Sequence, residues 1–176
     1  MDNFTWDFGS KLVKWNNEGV EIEKRVDNAF FATVNEDKQL IYVEAGENYN
    51  QDSIFYFSYD GTLILSISKK ENYVQWKFEN KNIEKRYENV SDAQIYESNI
   101  IILADETLYC YKINGELLFE INPDNGYKFI RLTTINNNPY VVCDGGSENA
   151  DKFGRSSWNY EINIDKGVVL KKNLAY

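Results

Sequence analysis

Histidine is absent from all 176 residues, and cysteine occurs only as Cys110 and Cys143. Nucleophilic triads of the common kind need a histidine base, so that chemistry is not available here. Both cysteines lie in apolar alternating runs with no histidine to activate them, which predicts buried, reduced thiols instead of a thiolate nucleophile. Two separated cysteines do not make a tetrahedral zinc site. No Gly-x-Gly-x-x-Gly or P-loop spacing is present, so no nucleotide cofactor is expected. The stretch from Asp144 to Asp151 gathers carboxylates but lacks the ligand order of an EF-hand. With 28 acidic residues a glycosidase pair is always conceivable, yet no spacing singles out two of them. The expectation is a protein that is not an enzyme and carries no metal and no cofactor.

The charge balance points to a binding role. Nineteen basic residues stand against 28 acidic ones, giving net −9 and a pI near 4.6. Nucleic acid and anionic membranes require a basic footprint, so neither is an expected partner. A cationic protein is the natural complement. The longest clean apolar run, Ile100 to Ala104, is far short of a membrane span. The opening residues Met1 to Asp7 have neither a basic flank nor a greasy stretch, so a cytoplasmic location is expected. An apolar content of 43% with 15% aromatics in 20.6 kDa predicts one folded domain over 1–176.

The elements that must position any site come from an internal repeat. Phe30–Glu44 aligns without gaps to Ile130–Asp144, each a strand, a polar turn, a second strand and an acid, and Ser91–Asp105 forms a third copy. Ile83–Arg86 echoes Ile22–Arg25 at an offset of 61. Each copy leads into a hairpin, marked by Asp60-Gly61, Asn114-Gly115 and Asp165-Lys166-Gly167. Asp-Gly and Asn-Gly between alternating strands predict type I′ turns, which need positive φ at both central positions. The units fall at about 28–68, 83–121 and 129–173, with a partial unit over 1–27. Residues 79–90 fit either a helix or a strand, and the repeat favours the strand. Four-stranded antiparallel meanders of this kind predict an all-β fold, a small or open propeller-like array, with a two-sheet sandwich as the alternative.

The connectors between the second and third strands vary while the strands keep register, as binding surfaces often do. They are residues 44–53, 104–107 and 144–157, which together hold eight acids and two bases. Equivalent connectors of a repeat are expected on one face, so the candidate partner-binding residues are Glu44, Glu47, Asp52, Asp105, Glu106, Asp144, Glu148 and Asp151, with Arg155. Among aromatics near these loops, Tyr49 is the expected interface anchor, ahead of Phe153 and Trp158. Tyr42, Phe55, Phe57, Tyr109, Tyr111 and Tyr160 alternate along strands and are expected in the core.

The run Asp151–Ile162 and the ending Asn173–Tyr176, together with the acidic, histidine-free β-meander character, resemble bacterial toxin-immunity proteins of the contact-dependent growth-inhibition type. The resemblance implies a non-catalytic inhibitor that occludes the active site of a cognate, basic, nuclease-type toxin domain. The alternative class is a carbohydrate- or small-ligand-binding β domain.

Overall fold

The computed structural model describes residues 1–36 and 38–175; Asp37, within the aligned repeat, and Tyr176, within the quoted ending, lie outside the described residues. Every strand pairing is antiparallel, and each sheet is a sequential meander, the strand order of a propeller blade. The first sheet comprises β1 (Asp2–Asp7), β2 (Leu12–Asn17) and β3 (Val20–Arg25). The second comprises β4 (Ala29–Asn35), β5 (Leu40–Ala45), β6 (Ser53–Ser58), β7 (Leu63–Ser68), β8 (Tyr73–Phe78) and β9 (Lys81–Arg86). The third comprises β10 (Val90–Tyr96), β11 (Asn99–Ala104), β12 (Thr107–Lys112) and β13 (Leu117–Ile121). The fourth comprises β14 (Lys128–Ile135), β15 (Asn138–Asp144), β16 (Ser157–Asn163) and β17 (Val168–Leu174). Four hydrogen-bonded sheets replace the two that a sandwich requires. Among the described residues no helix is long and apolar enough to cross a membrane.

The repeat boundaries need one correction. Residues 83–86 do form a strand, but β9 closes the six-stranded sheet instead of opening the next unit. The offset of 61 reaches further than the Ile-Glu-Lys-Arg echo. Val13, Trp15, Glu18 and Asn28 recur as Val74, Trp76, Glu79 and Asn89. Left-handed φ recurs with them, at Lys11 and Asn72 and at Glu18 and Glu79. Register follows as well: Trp15 pairs with Ile22 as Trp76 pairs with Ile83. The β2–β3 hairpin is therefore the same building unit as the β8–β9 hairpin.

The turn chemistry also differs from expectation. At Asp60-Gly61 and Asn114-Gly115 only the glycine has left-handed φ, at 83° and 89°. Each hairpin carries a bulge one step before the turn, the pattern of a glycine-closed bulge. The Asp60 and Asn114 side chains accept the N–H groups of Thr62 and Glu116 at 2.9 and 3.0 Å, so the residue before glycine caps the turn. Paired left-handed residues, the backbone signature of type I′, occur instead at Asp105-Glu106 and Asn136-Asn137.

The chain forms two compact units, 1–86 and 87–176. In the first, Val13 and Trp15 of β2 pack on Ile41, Val43 and Phe57 of the second sheet. The buried Trp15 indole N–H donates to the Tyr59 carbonyl at 2.6 Å, so its one polar atom is satisfied. In the second unit, Ile101, Leu103, Leu108 and Cys110 pack on Phe129, Leu132, Val141 and Cys143. The Asp92 carboxylate accepts the Leu132 N–H at 3.0 Å and ties β10 to β14. Of the six aromatics expected in the core, Tyr111, Tyr160 and Phe57 are buried, while Tyr42, Phe55 and Tyr109 are only partly buried.

Replacing Trp15 with alanine should cost about 3–5 kcal/mol by lost burial and cavity formation. Trp15→Phe should cost about 1 kcal/mol through the orphaned Tyr59 carbonyl. Chemical denaturation measures both.

Candidate functional site

The loop between β5 and β6 is the most constrained connector of the first unit. Gly46 admits no side chain: a Cβ there would lie 1.9 Å from the Asn50 carbonyl oxygen. Its N–H donates to the Asn28 carbonyl at 3.0 Å, anchoring the loop to the segment before β4. Asn50 N–H closes a short 3-10 turn on the Glu47 carbonyl at 3.0 Å, and Asp52 N–H donates to the Asn50 carbonyl at 2.9 Å. The Asp52 carboxylate accepts the Glu47 N–H at 3.2 Å, spanning the loop from inside. These ties hold Asn48 and Tyr49 at left-handed φ of 53° and 62°. For an aromatic residue that conformation is strained, and strain of this kind concentrates at functional positions.

Tyr49 is 70% exposed. Its ring lies nearly parallel to Phe8, at 6.2 Å and 9°, and meets the edge of Phe30 at 6.0 Å. The Lys11 ammonium sits 3.5 Å from the Phe8 ring centroid and donates to the Ala29 carbonyl at 3.1 Å. These residues, with Asn28, Glu47 and Asn48, line an open cleft of about 430 Å³. The cleft thus has aromatic walls, one cation fixed on a ring and one exposed carboxylate, Glu47, at its rim.

The remaining sequence-predicted residues divide by what their carboxylates do. Glu44 accepts hydrogen bonds from the Tyr42 hydroxyl and, at 2.7 Å, from Gln51, whose own oxygen receives Lys69 at 2.6 Å. It belongs to a part-buried network beneath the loop. Asp105 accepts the N–H groups of Asn89 and Glu88 at 2.7 and 3.3 Å. Asp144 accepts Gly146 N–H at 3.0 Å; its hydrogen bond with the Ser156 hydroxyl, and then that N–H, hold its carboxyl below the usual carboxylate range. Asp151 pairs with Arg155 at 2.6 Å and accepts the N–H groups of Phe153 and Arg155 at 2.8 and 3.1 Å. The Arg155 side chain is the main cause of its lowered pKa. Glu106 pairs with Lys128 at 3.5 Å, and Lys128 stands opposite Asp144 in the β14–β15 register. The second unit therefore brings Asp105, Glu106 and Asp144 to one end, with a lysine between them. Glu148 is exposed on a short 3-10 turn.

Asp52, Asp144 and Asp151 accordingly shape the loop that carries them, while Asp105 braces the segment before β10. Phe153 resembles Tyr49 in presentation: it is 69% exposed, with Lys152 and Arg155 about 5 Å from its ring. Trp158 packs against the second core, covered by Lys171 at 3.8 Å. Cys110 and Cys143 are free and buried, and burial pushes each thiol up to about 12. Phe8, Lys11 and Phe30 are cleft residues that the sequence reading missed. The offset of 61 places a turn at residues 8–11, but no local pattern there indicates proximity to Tyr49.

Two outcomes follow. Ellman's reagent should leave both thiols unmodified in the native protein and titrate both after denaturation. The folded pKa values of Asp144 and Asp151 are depressed, so their contribution is present above the ordinary aspartate pKa of about 3.9 and is lost as pH falls through the folded values. Protection factors of amides in residues 145–155, taken relative to the intrinsic exchange rate at each pH, should therefore hold at pH 5 and fall below about pH 4, and Asp151→Asn should lower them already at neutral pH.

Neither a protein-family model nor a curated protein matches the sequence. Among solved structures, the chain is similar to virginiamycin B lyase from Staphylococcus aureus, with TM-score 0.49 and 9% identity over 98% of this chain and 69% of that one. It is also similar to the computationally designed Ika8 protein, with TM-score 0.46 and 13% identity over 96% and 62% of the two chains. The N-terminal domain of Nup159 follows, with TM-score 0.42 and 11% identity over 98% and 61%.

Proposed function

We propose that this protein is a non-catalytic binding protein of the toxin-immunity kind, which captures a cationic protein domain and occludes it. The observation that carries the reading is the loop at residues 46–52, a strained and internally braced turn that presents Tyr49 beside Glu47. An exposed aromatic fixed in place loses little entropy on binding and makes an effective anchor. The acidic excess of the whole chain would speed encounter with a basic partner and select against acidic ones. Among the described residues no group of three or more histidine, cysteine or acidic side chains is arranged to hold a metal ion.

A second reading rests on the cleft itself. Near-parallel Phe8 and Tyr49 rings beside a carboxylate also suit the apolar face of a sugar ring. The two readings separate by salt and by size of ligand.

The expected partner is the small basic domain ending a large secreted effector encoded beside this gene. Purified, that domain should bind with an on-rate that falls steeply between low and physiological salt. Glu47→Lys combined with Tyr49→Ala should weaken capture by about tenfold or more, with Tm essentially unchanged. A salt-insensitive on-rate or unaltered affinity in the double variant would refute the assignment, and saturable binding of a neutral oligosaccharide that Tyr49→Ala abolishes would favour the second reading.

A further inference from the structure

The offset of 61 extends through β1. The ranges Asp2–Asp7, Leu12–Asn17 and Val20–Arg25 map onto β7, β8 and β9 without adjustment. Pairing agrees over Thr5, Trp6 and Asp7, which face Lys14, Val13 and Leu12 as Ser66, Ile67 and Ser68 face Gln75, Val74 and Tyr73; it departs at Phe4, because β1 carries an irregularity between Asp2 and Thr5, with Asn3 at a left-handed φ of 52°, whereas Leu65 pairs with Trp76. The three-stranded first sheet is thus a copy of β7–β9. Beyond that irregularity, a second difference separates them. The other edge of β7 is paired to β6, with Ile54 opposite Ile67 and Phe55 opposite Ser66. Among the described residues no strand pairs with that edge of β1.

The consequence shows in burial. Leu65 and Ile67 of β7 are 0% and 1% exposed, whereas the corresponding Phe4 and Trp6 of β1 are only partly buried against the core. An unpaired edge with two aromatics half covered is a template for an added strand. We infer that β1 accepts an extended segment of a partner polypeptide, antiparallel, in the position that β6 takes on β7.

Charge selects the occupant. Asp2 and Asp7 bracket the strand, so a segment with apolar residues opposite Phe4 and Trp6 and basic residues at its ends is complementary. A second copy of this chain offering its own β1 antiparallel would set Asp2 against Asp7 at each end of the ladder, and like charges facing each other are destabilising. The strand ends at Asp7, next to Phe8 of the Tyr49 cleft, but the inference does not depend on the reading given to that cleft.

The test uses a synthetic peptide with the sequence of residues 53–58 and one added lysine at each end, and a control peptide with proline at its centre. Hydrogen exchange of the full chain should show amides of residues 2–7 slowed by about tenfold with the first peptide and unaffected by the control, an effect reduced by high salt and by Asp2→Lys. The Tyr49→Ala variant should show the same protection. Absence of protection at residues 2–7, or equal protection by the control, overturns the inference. Concentration-dependent dimerisation that protects residues 2–7 without peptide overturns it in favour of self-pairing.

Discussion

A tight turn leaves backbone N–H groups outside the β ladder, and a nearby side-chain acceptor that takes them fixes the shape of the turn. In this chain carboxylates supply many of the missing acceptors. Asp52 receives Glu47, Asp105 receives Asn89 and Glu88, Asp144 receives Gly146, and Asp151 receives Phe153 and Arg155. The connectors at 46–52 and 144–157 are thus braced by their own carboxylates, and Asp105 braces the link before β10. Their fixed shape, more than their bare charge, is what presents Tyr49 and Phe153 to solvent.

The frame that holds these connectors is a repeated meander. Each sheet is local in sequence, so pairing closes through short turns and little loop entropy opposes it. The buried indole of Trp15 couples the first two sheets by packing and by its bond to Tyr59. In the second unit the Asp92 carboxylate links adjacent first strands through the Leu132 N–H. Cys110 and Cys143 fill the same core as small hydrophobes.

Much of the frame was legible because period-2 alternation and Gly-bearing turns are local signals. Strands β4–β7 and β10–β13 follow from Phe30–Glu44, Asp60-Gly61 and Asn114-Gly115 within a residue or two. The turn types were not, because Asp60 and Asn114 satisfy the chain by capping, which removes the need for left-handed φ at that residue. The extra β8–β9 hairpin was half visible in Ile83–Arg86; its full extent needed Val74 and Trp76 to be set against Val13 and Trp15. The exposure of Tyr49 was legible from its place in a polar, acidic loop. Its neighbours Phe8 and Phe30 were not, since their proximity is made by packing between sheets. Charge counting gave the sign of the loops but not that Glu44, Asp105 and Asp151 spend their oxygens internally.

The braced loop at residues 46–52 is tested most directly by the conformation of Tyr49 in the free protein. Scalar couplings and nuclear Overhauser contacts measured in solution should give a single left-handed φ there and a slowly exchanging Glu47 amide, and Asp52→Ala should release both. A Tyr49 that averages over extended and helical conformations in the unmodified chain, with a rapidly exchanging Glu47 amide, would contradict it.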